Sequence, residues 1–272
     1  LLTSTSSNKA FCYTKRIGDM GAPDESNNSE KTGMKLADFD TLTFDCYGTL
    51  IDWETGIFEG LRPLLERVGS PLTRDQVLEA HARHESSQQK YTPQRRYQEL
   101  LPVVYKRLAE EWQAPYTLAE CIAYGQSIRN WPAFDDSAAA LRYLKQHFKL
   151  VILSNIDNES FSFSNPKLQV EFDAIFTAED IGSYKPSPRN FEYMLEKLGE
   201  RGIHKDTILH TAESLFHDHQ PANQFGLASC WICRRHAKEG FGATMDPGSQ
   251  PTIDFRFNSM ADLVKMHQAQ KR

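Results

Sequence analysis

The sequence lacks any apolar run long enough to cross a membrane. Its longest apolar stretches, such as residues 150–153, stop after a few positions, whereas a bilayer demands about 20. An excess of positive charge is also missing. The formal net charge is −5, which implies neither a nucleic-acid partner nor an anionic membrane surface. Cysteine is sparse: Cys12, Cys46, Cys121, Cys230 and Cys233 form an odd, scattered set. That set excludes a disulfide framework and points to a reducing compartment, the cytoplasm. Cys230 and Cys233 have the spacing of a redox or metal pair, but no second pair exists to complete a zinc site. They sit in or beside an apolar run over residues 227–232 and read as inert, buried thiols. Internal repeats are absent.

What is present is the composition of a globular chain. Of 272 residues, 40% are hydrophobic and 25% charged, enough for one large domain or a core with a smaller insert. Residues 1–34 are rich in Ser, Thr, Asn and Gly without apolar periodicity, and a disordered tail is expected there. Lys9, Lys15 and Arg16, with no acid over residues 1–18, give this end the look of a transit-peptide remnant, although a plain floppy tail is the preferred reading. Met34 opens the folded part.

From Thr41 onward, short β-rich runs alternate with helical stretches. Strands are expected at residues 41–45, 149–154, 174–177, 207–211 and 228–232, with a short one at 253–257. Helices are expected at 136–147, 188–198 and 219–225. The alternation predicts an α/β fold: a Rossmann-like, doubly wound parallel sheet covered on both faces. One interval breaks the pattern. Residues 53–133 are helical almost throughout, in segments 55–68, 73–89, 94–113 and 117–128 separated at Pro71, Pro93 and Pro115. A helical cap inserted after the first strand is the natural reading, leaving 35–52 and 134–272 as the core.

Open parallel sheets bind ligands beyond the carboxyl ends of their strands. Those ends carry Asp45 with Tyr47, Gly48 and Thr49; Ser154 and Asn155, with Asp157 just beyond; Lys185 before Pro186; and Glu213, Ser214, His217, Asp218 and His219. Singly, an Asp after a strand is usually a helix cap and a Lys before Pro a solvated loop residue. Together they compose a site. Asp45 can be a nucleophile if held ionised, and a nearby lysine favours that state. Hydroxyls and the N–H groups of the Gly48 turn can hold an anion, and a second carboxylate can activate water.

These segments resemble the four motifs of the haloacid dehalogenase superfamily. Phe44 to Leu50 is similar to the first, Leu153-Ser154-Asn155 to the second, Tyr184-Lys185-Pro186 to the third and Glu213 to Asp218 to the fourth. The resemblance covers residues 36–260, and the helical insert lies where that family carries its cap. Phosphatases of the superfamily have a second Asp two residues after the nucleophile as general acid. Here that position is Tyr47. The segment Asp-Cys-Tyr-Gly-Thr is similar to the type II, (S)-2-haloacid dehalogenase branch, whose halide leaving group needs no proton.

The resemblance implies a metal-free hydrolysis of a small halogenated carboxylic acid through an Asp45 ester. It makes Lys185, Asp218 and Thr49 the catalytic partners. Tyr47, Ser154, Asn155 and the cap residue Arg83, with His81 and His84 beside it, would form the substrate pocket. A homodimer is a further implication. Two departures stand out: Phe191 where the branch has Tyr, and Glu213 and Leu215 where its fourth motif has Ser and Asn. Glu213 and Asp218 are also spaced like the acidic pair that holds Mg²⁺ in the phosphatases, so a Mg²⁺ site of Asp45, Glu213 and Asp218 is the alternative. His217 and His219, two apart at a helix start, diverge and read as structural. A non-catalytic binding protein on the same scaffold is the third reading.

Overall fold

The computed structural model describes residues 33–271. The tail expected over residues 1–34 therefore lies outside the described residues in all but its last two positions. Six strands form one parallel sheet in the order β3-β2-β1-β4-β5-β6. They are β1 (Thr41–Phe44), β2 (Lys149–Ser154), β3 (Ala174–Thr177), β4 (Ile208–Ala212), β5 (Ala228–Ile232) and β6 (Phe255–Phe257). Central β1 and β4 are buried at every position, as strands covered on both faces must be, while the edge strands β3 and β6 each expose one residue.

From β1 the chain winds outward through β2 and β3, then returns to the other side of β1 with β4 and winds through β5 and β6. The reversal leaves a crevice between the carboxyl ends of β1 and β4, the usual place for a ligand. Thr41 pairs with Lys149 on one side and Ile208 on the other, so Asp45, Ser154 and Glu213 leave the sheet at nearly one level.

Four helices intervene between β1 and the rest of the core: α1 (Trp53–Leu65), α2 (Arg74–Tyr91), α3 (Tyr97–Glu111) and α4 (Leu118–Gln126). Their starts follow from capping chemistry. The Asp52 side chain accepts from the Thr55 N–H, while Thr73 with Gln76 and Thr117 with Glu120 make reciprocal capping boxes. The two chain crossings lie side by side, since Asp52 N–H donates to Pro132 O and Phe134 N–H to Leu50 O. The remaining helices cover the sheet: α5 (Ser137–Leu144), α6 (Asn158–Leu168), α7 (Ala178–Ile181), α8 (Pro188–Gly199), α9 (Gln220–Gln224) and α10 (Met260–Gln270). The sequence pattern misses α6 and α10. The first is Ser- and Asn-rich with Pro166 inside it, so no apolar period marks it.

The cap docks on the core through backbone groups. Asp157, fully buried, caps α6 through the Ser160 N–H, and its other oxygen accepts the Gln98 N–H of α3 at 2.8 Å. The Tyr184 hydroxyl donates to Arg95 O nearby. Asp157→Ala removes both a helix cap and a cap-to-core bond, and should lower stability by about 2–3 kcal/mol. Urea unfolding measures it, and a loss below about 0.5 kcal/mol would contradict the dual role.

Candidate active site

At the β1–β4 crevice the side chain of Lys185 is 1% exposed, and its ammonium donates to three acceptors. Asp45 Oδ1 lies at 3.0 Å, Leu153 O at 2.9 Å and Asp218 Oδ1 at 2.6 Å. An ammonium has three protons, so every donor is satisfied within the protein. The Asn155 amide holds the lysine in place: its Oδ1 accepts the Lys185 N–H and its Nδ2 donates to Lys185 O. The Thr49 hydroxyl donates to Asp45 Oδ2 at 2.8 Å and accepts the Glu213 N–H at 2.9 Å, tying the β1 loop to the end of β4.

Gly48 shapes that loop. Its φ is +98°, and a Cβ there would come within 2.9 Å of the Trp53 indole nitrogen. Asp218 arrives from a single π-helical turn, Leu215–His219, closed by Ser214 accepting the His217 N–H. His210 in β4 stands behind it. His210 Nε2 lies 3.0 Å from Asp218 Oδ1, and Nδ1 lies 2.8 Å from the Thr43 hydroxyl. A Thr43 O–H donating to Nδ1 leaves Nε2–H to donate to Asp218.

Two carboxylates therefore share one cation. Burial raises the Asp45 carboxyl above its ordinary value, opposed by Lys185 and reinforced by the negative charge of Asp218. Asp218 goes the other way: burial is outweighed by Lys185 and His210, and it stays ionised far below the ordinary carboxylate range. Burial would deprotonate Lys185, but its two carboxylate partners more than offset this and raise its pKa.

A narrow cleft lies over these groups. Its core wall includes Asp45, Tyr47, Ser154, Lys185, Ser214, His217 and Asp218, and its cap wall consists of Trp53, Glu85, Gln89 and Tyr97. The Tyr47 hydroxyl is bound to Ser164 Oγ of α6 at 2.8 Å. Ser154 Oγ, Asp218 Oδ2 and His217 Nε2 are buried without a hydrogen-bond partner among the described residues.

Residues 39–210 match the family described as haloacid dehalogenase-like hydrolase. The chain belongs to the haloacid dehalogenase-like hydrolases. It is 29% identical over 211 residues to an (S)-2-haloacid dehalogenase of Pseudomonas sp. (strain YL), covering 75% of this chain and 88% of that protein. It is 33% identical over 138 residues to haloacetate dehalogenase H-2 of Moraxella sp. (strain B), covering 49% and 56%. The fold is similar to that of the L-2-haloacid dehalogenase from Xanthobacter autotrophicus, with a TM-score of 0.65 at 16% identity over 85% of this chain and 98% of that one.

Within this family member, two expectations need correction. Arg83 does not line the cleft. It points outward from α2 and pairs with Glu111, together with His84. His81 is buried in the cap instead, where burial lowers its pKa to about 3. The Mg²⁺ alternative also fails on geometry. The Lys185 ammonium, not an open position, lies between Asp45 and Asp218, and Glu213 lines a separate cavity with Glu54, Arg234 and Arg235. Burial beside Glu54 raises Glu213 to about 8. Among the described residues no group of three or more His, Cys, Asp and Glu side chains could hold a metal ion.

Other positions find structural partners. His219 donates to Ala212 O, and Phe191 packs edge-on against His210 with centroids 5.1 Å apart. Cys230 and Cys233 are free and buried. Of the cap aromatics, Trp53 and Tyr97 reach the cleft, Trp131 packs on Tyr47, and Tyr91 is 77% exposed. Sequence reasoning missed Glu85, Gln89 and His210. A signal existed: Leu78, Ala82, Glu85 and Gln89 share one face of α2, and that face turns from apolar to polar where packing ends and the cleft begins.

If Asp45 acts as a carboxylate, its raised pKa fixes a pH dependence. The reactive form is lost as pH falls through that value, so the acid limb of kcat/KM should lie above 3.8. Lys185→Met removes the main influence lowering that pKa. It should move the limb upward and reduce kcat at pH 7 by at least about 100-fold. A pH–rate profile of both proteins checks this, and an unshifted limb would contradict the pairing. Thr49→Val should cost about tenfold in kcat, one charge-assisted hydrogen bond.

Proposed function

We propose that the chain hydrolyses the carbon–halogen bond of a small 2-halogenated compound, in the manner of (S)-2-haloacid dehalogenases, with Asp45 as covalent nucleophile. The observation that carries this reading is the pairing of a held Asp45 carboxylate with Tyr47, whose hydroxyl is bound to Ser164. No free acid stands two residues after the nucleophile, where the phosphatases of the superfamily carry theirs. A halide needs none.

The reaction balances in two steps. An Asp45 oxygen attacks the carbon bearing the halogen from behind, forming a C–O bond as the C–X bond breaks, and halide leaves with the electron pair. Configuration at carbon inverts. Water then gives a proton to Asp218 and attacks the Asp45 carboxyl carbon. The ester C–O bond breaks, the expelled product oxygen takes that proton to become the hydroxyl, and the Asp45 carboxyl loses its proton to solvent, restoring the carboxylate. Asp218 suits the second step: Lys185 and His210 fix one oxygen, and the other is buried with no partner among the described residues. Lys185 neutralises Asp45 and orients it. Ser154 offers a hydroxyl to the substrate, and Asn155, which also lines the cleft, holds Lys185 through its amide.

Chloride release from (S)-2-chloropropionate is expected in EDTA, and Asp45→Asn should reduce it by on the order of 10³-fold or more. Asp218→Asn should slow ester hydrolysis, so that intact-mass measurement finds the substrate, less its chloride, attached as a 1-carboxyethyl ester. Mg²⁺-dependent release of phosphate from p-nitrophenyl phosphate without chloride release would overturn the proposal. Unchanged behaviour of Asp45→Asn in every assay would favour a binding protein.

A further inference from the structure

The cap wall of the cleft presents a carboxyl to the substrate. Glu85 is 2% exposed on α2, and Gln89 follows one turn later on the same face. The Tyr97 hydroxyl of α3 donates to Glu85 Oε1. The other groups facing Glu85 are Tyr124 of α4, Tyr184 from the core and His81 one turn earlier on α2. All are uncharged, since burial holds His81 neutral. With no cation against it, burial raises the Glu85 carboxyl to about 7.

Lys185 is the one cationic side chain among the described residues lining the cleft, and all three of its protons are donated within the protein. Besides backbone N–H groups of the β1 loop, which can hold either a carbonyl or a carboxylate, the side-chain atoms left for a substrate include no cation: Ser154 Oγ, His217 Nε2, the Gln89 amide and Asp218 Oδ2. Burial lowers the His217 pKa to about 4, so its ring is neutral at working pH. A substrate carboxylate would join Asp45 and Asp218 with no new cation to meet it, and above neutral pH it would also face an ionised Glu85. A carboxamide on the same carbon frame brings N–H donors for Glu85 and a carbonyl for Gln89 or Ser154, and it adds no charge.

We propose that Glu85, with Gln89, is a specificity-determining residue that takes an uncharged hydrogen-bonding group, a carboxamide in the simplest case, where a 2-haloacid presents its carboxylate. This rests on the dehalogenase chemistry proposed for Asp45 and adds the substrate class. The site admits the acid while Glu85 is protonated and can donate to it, and discriminates against it as pH rises.

The test compares chloride release from (S)-2-chloropropionamide and (S)-2-chloropropionate between pH 5.5 and 8.5. The wild type and Glu85→Gln are measured, with Asp45→Asn as the blank. The KM of the acid should rise about tenfold or more across this range in the wild type while kcat moves little, and the KM of the amide should stay flat. At pH 8.5 the amide should be preferred by about tenfold or more in kcat/KM. Glu85→Gln keeps an acceptor for Tyr97, and should flatten the KM profile of the acid. The wild-type profile tests the inference even if that variant folds poorly. A flat KM for the acid with the acid preferred at pH 8.5 would overturn the inference and leave the dehalogenase reading standing. Chloride release from neither compound above the blank would remove both.

Discussion

The protonated side chain of Lys185 is the constraint on which the rest of the site depends. A buried ammonium is tolerable only if its charge is met and each proton has an acceptor. Here Asp45, Asp218 and the Leu153 carbonyl do so together. The arrangement works in both directions. Without the lysine, two carboxylates would face each other in a dry crevice and at least one would take up a proton. Without either carboxylate, the lysine would lose its charge. The nucleophile, the cation and the second carboxylate are thus one electrostatic unit, drawn from β1, the loop after β3 and the turn after β4.

The unit is asymmetric, and the asymmetry suits two-step chemistry. Asp218 has Lys185 and His210 behind it and stays ionised, whereas Asp45 has Lys185 and a hydroxyl and is pushed upward by burial. The less stabilised carboxylate is the better nucleophile. The firmly ionised one keeps a free oxygen for water. Tyr47 completes the logic, because its phenol packs on Trp131 and bonds to Ser164. It contributes a wall and no proton.

Specificity comes from elsewhere. The core supplies reactive groups whose spacing is dictated by strand register. The cap supplies Trp53, Glu85, Gln89 and Tyr97, whose identities are free to vary while the helices still pack. Gly48 links the two, since only a residue without a side chain lets Trp53 lie against the nucleophile loop. A carboxyl, and not the guanidinium expected from Arg83, lies on the cap side of this cleft.

Much of the core was legible in the sequence. The runs at 149–154, 174–177 and 228–232 coincide with β2, β3 and β5, because strands of a sheet covered on both faces are short, largely apolar runs. The placement of Asp45, Lys185 and Asp218 at strand ends followed from the same alternation. Helices α6 and α10 were not legible, because tertiary packing stabilises segments whose own period is weak. Arg83 shows the limit most clearly. It lies two residues from Glu85 on the same helix, and the one sequence signal, the face that runs from Leu78 and Ala82 to Glu85 and Gln89, does not say that the cleft lies at its end. A helix of 3.6 residues per turn sends neighbours two apart to different sides, and only the packing of α2 against α3 and the core chooses the side that faces the cleft. The sequence by itself determined the sheet, its reactive edge and the nucleophile chemistry, because strand period and residue type are local properties. Tertiary structure alone decided that Lys185 would bridge both carboxylates, that Glu213 would face another cavity, and that a carboxyl would line the cap wall, because each depends on contacts between residues far apart in the chain.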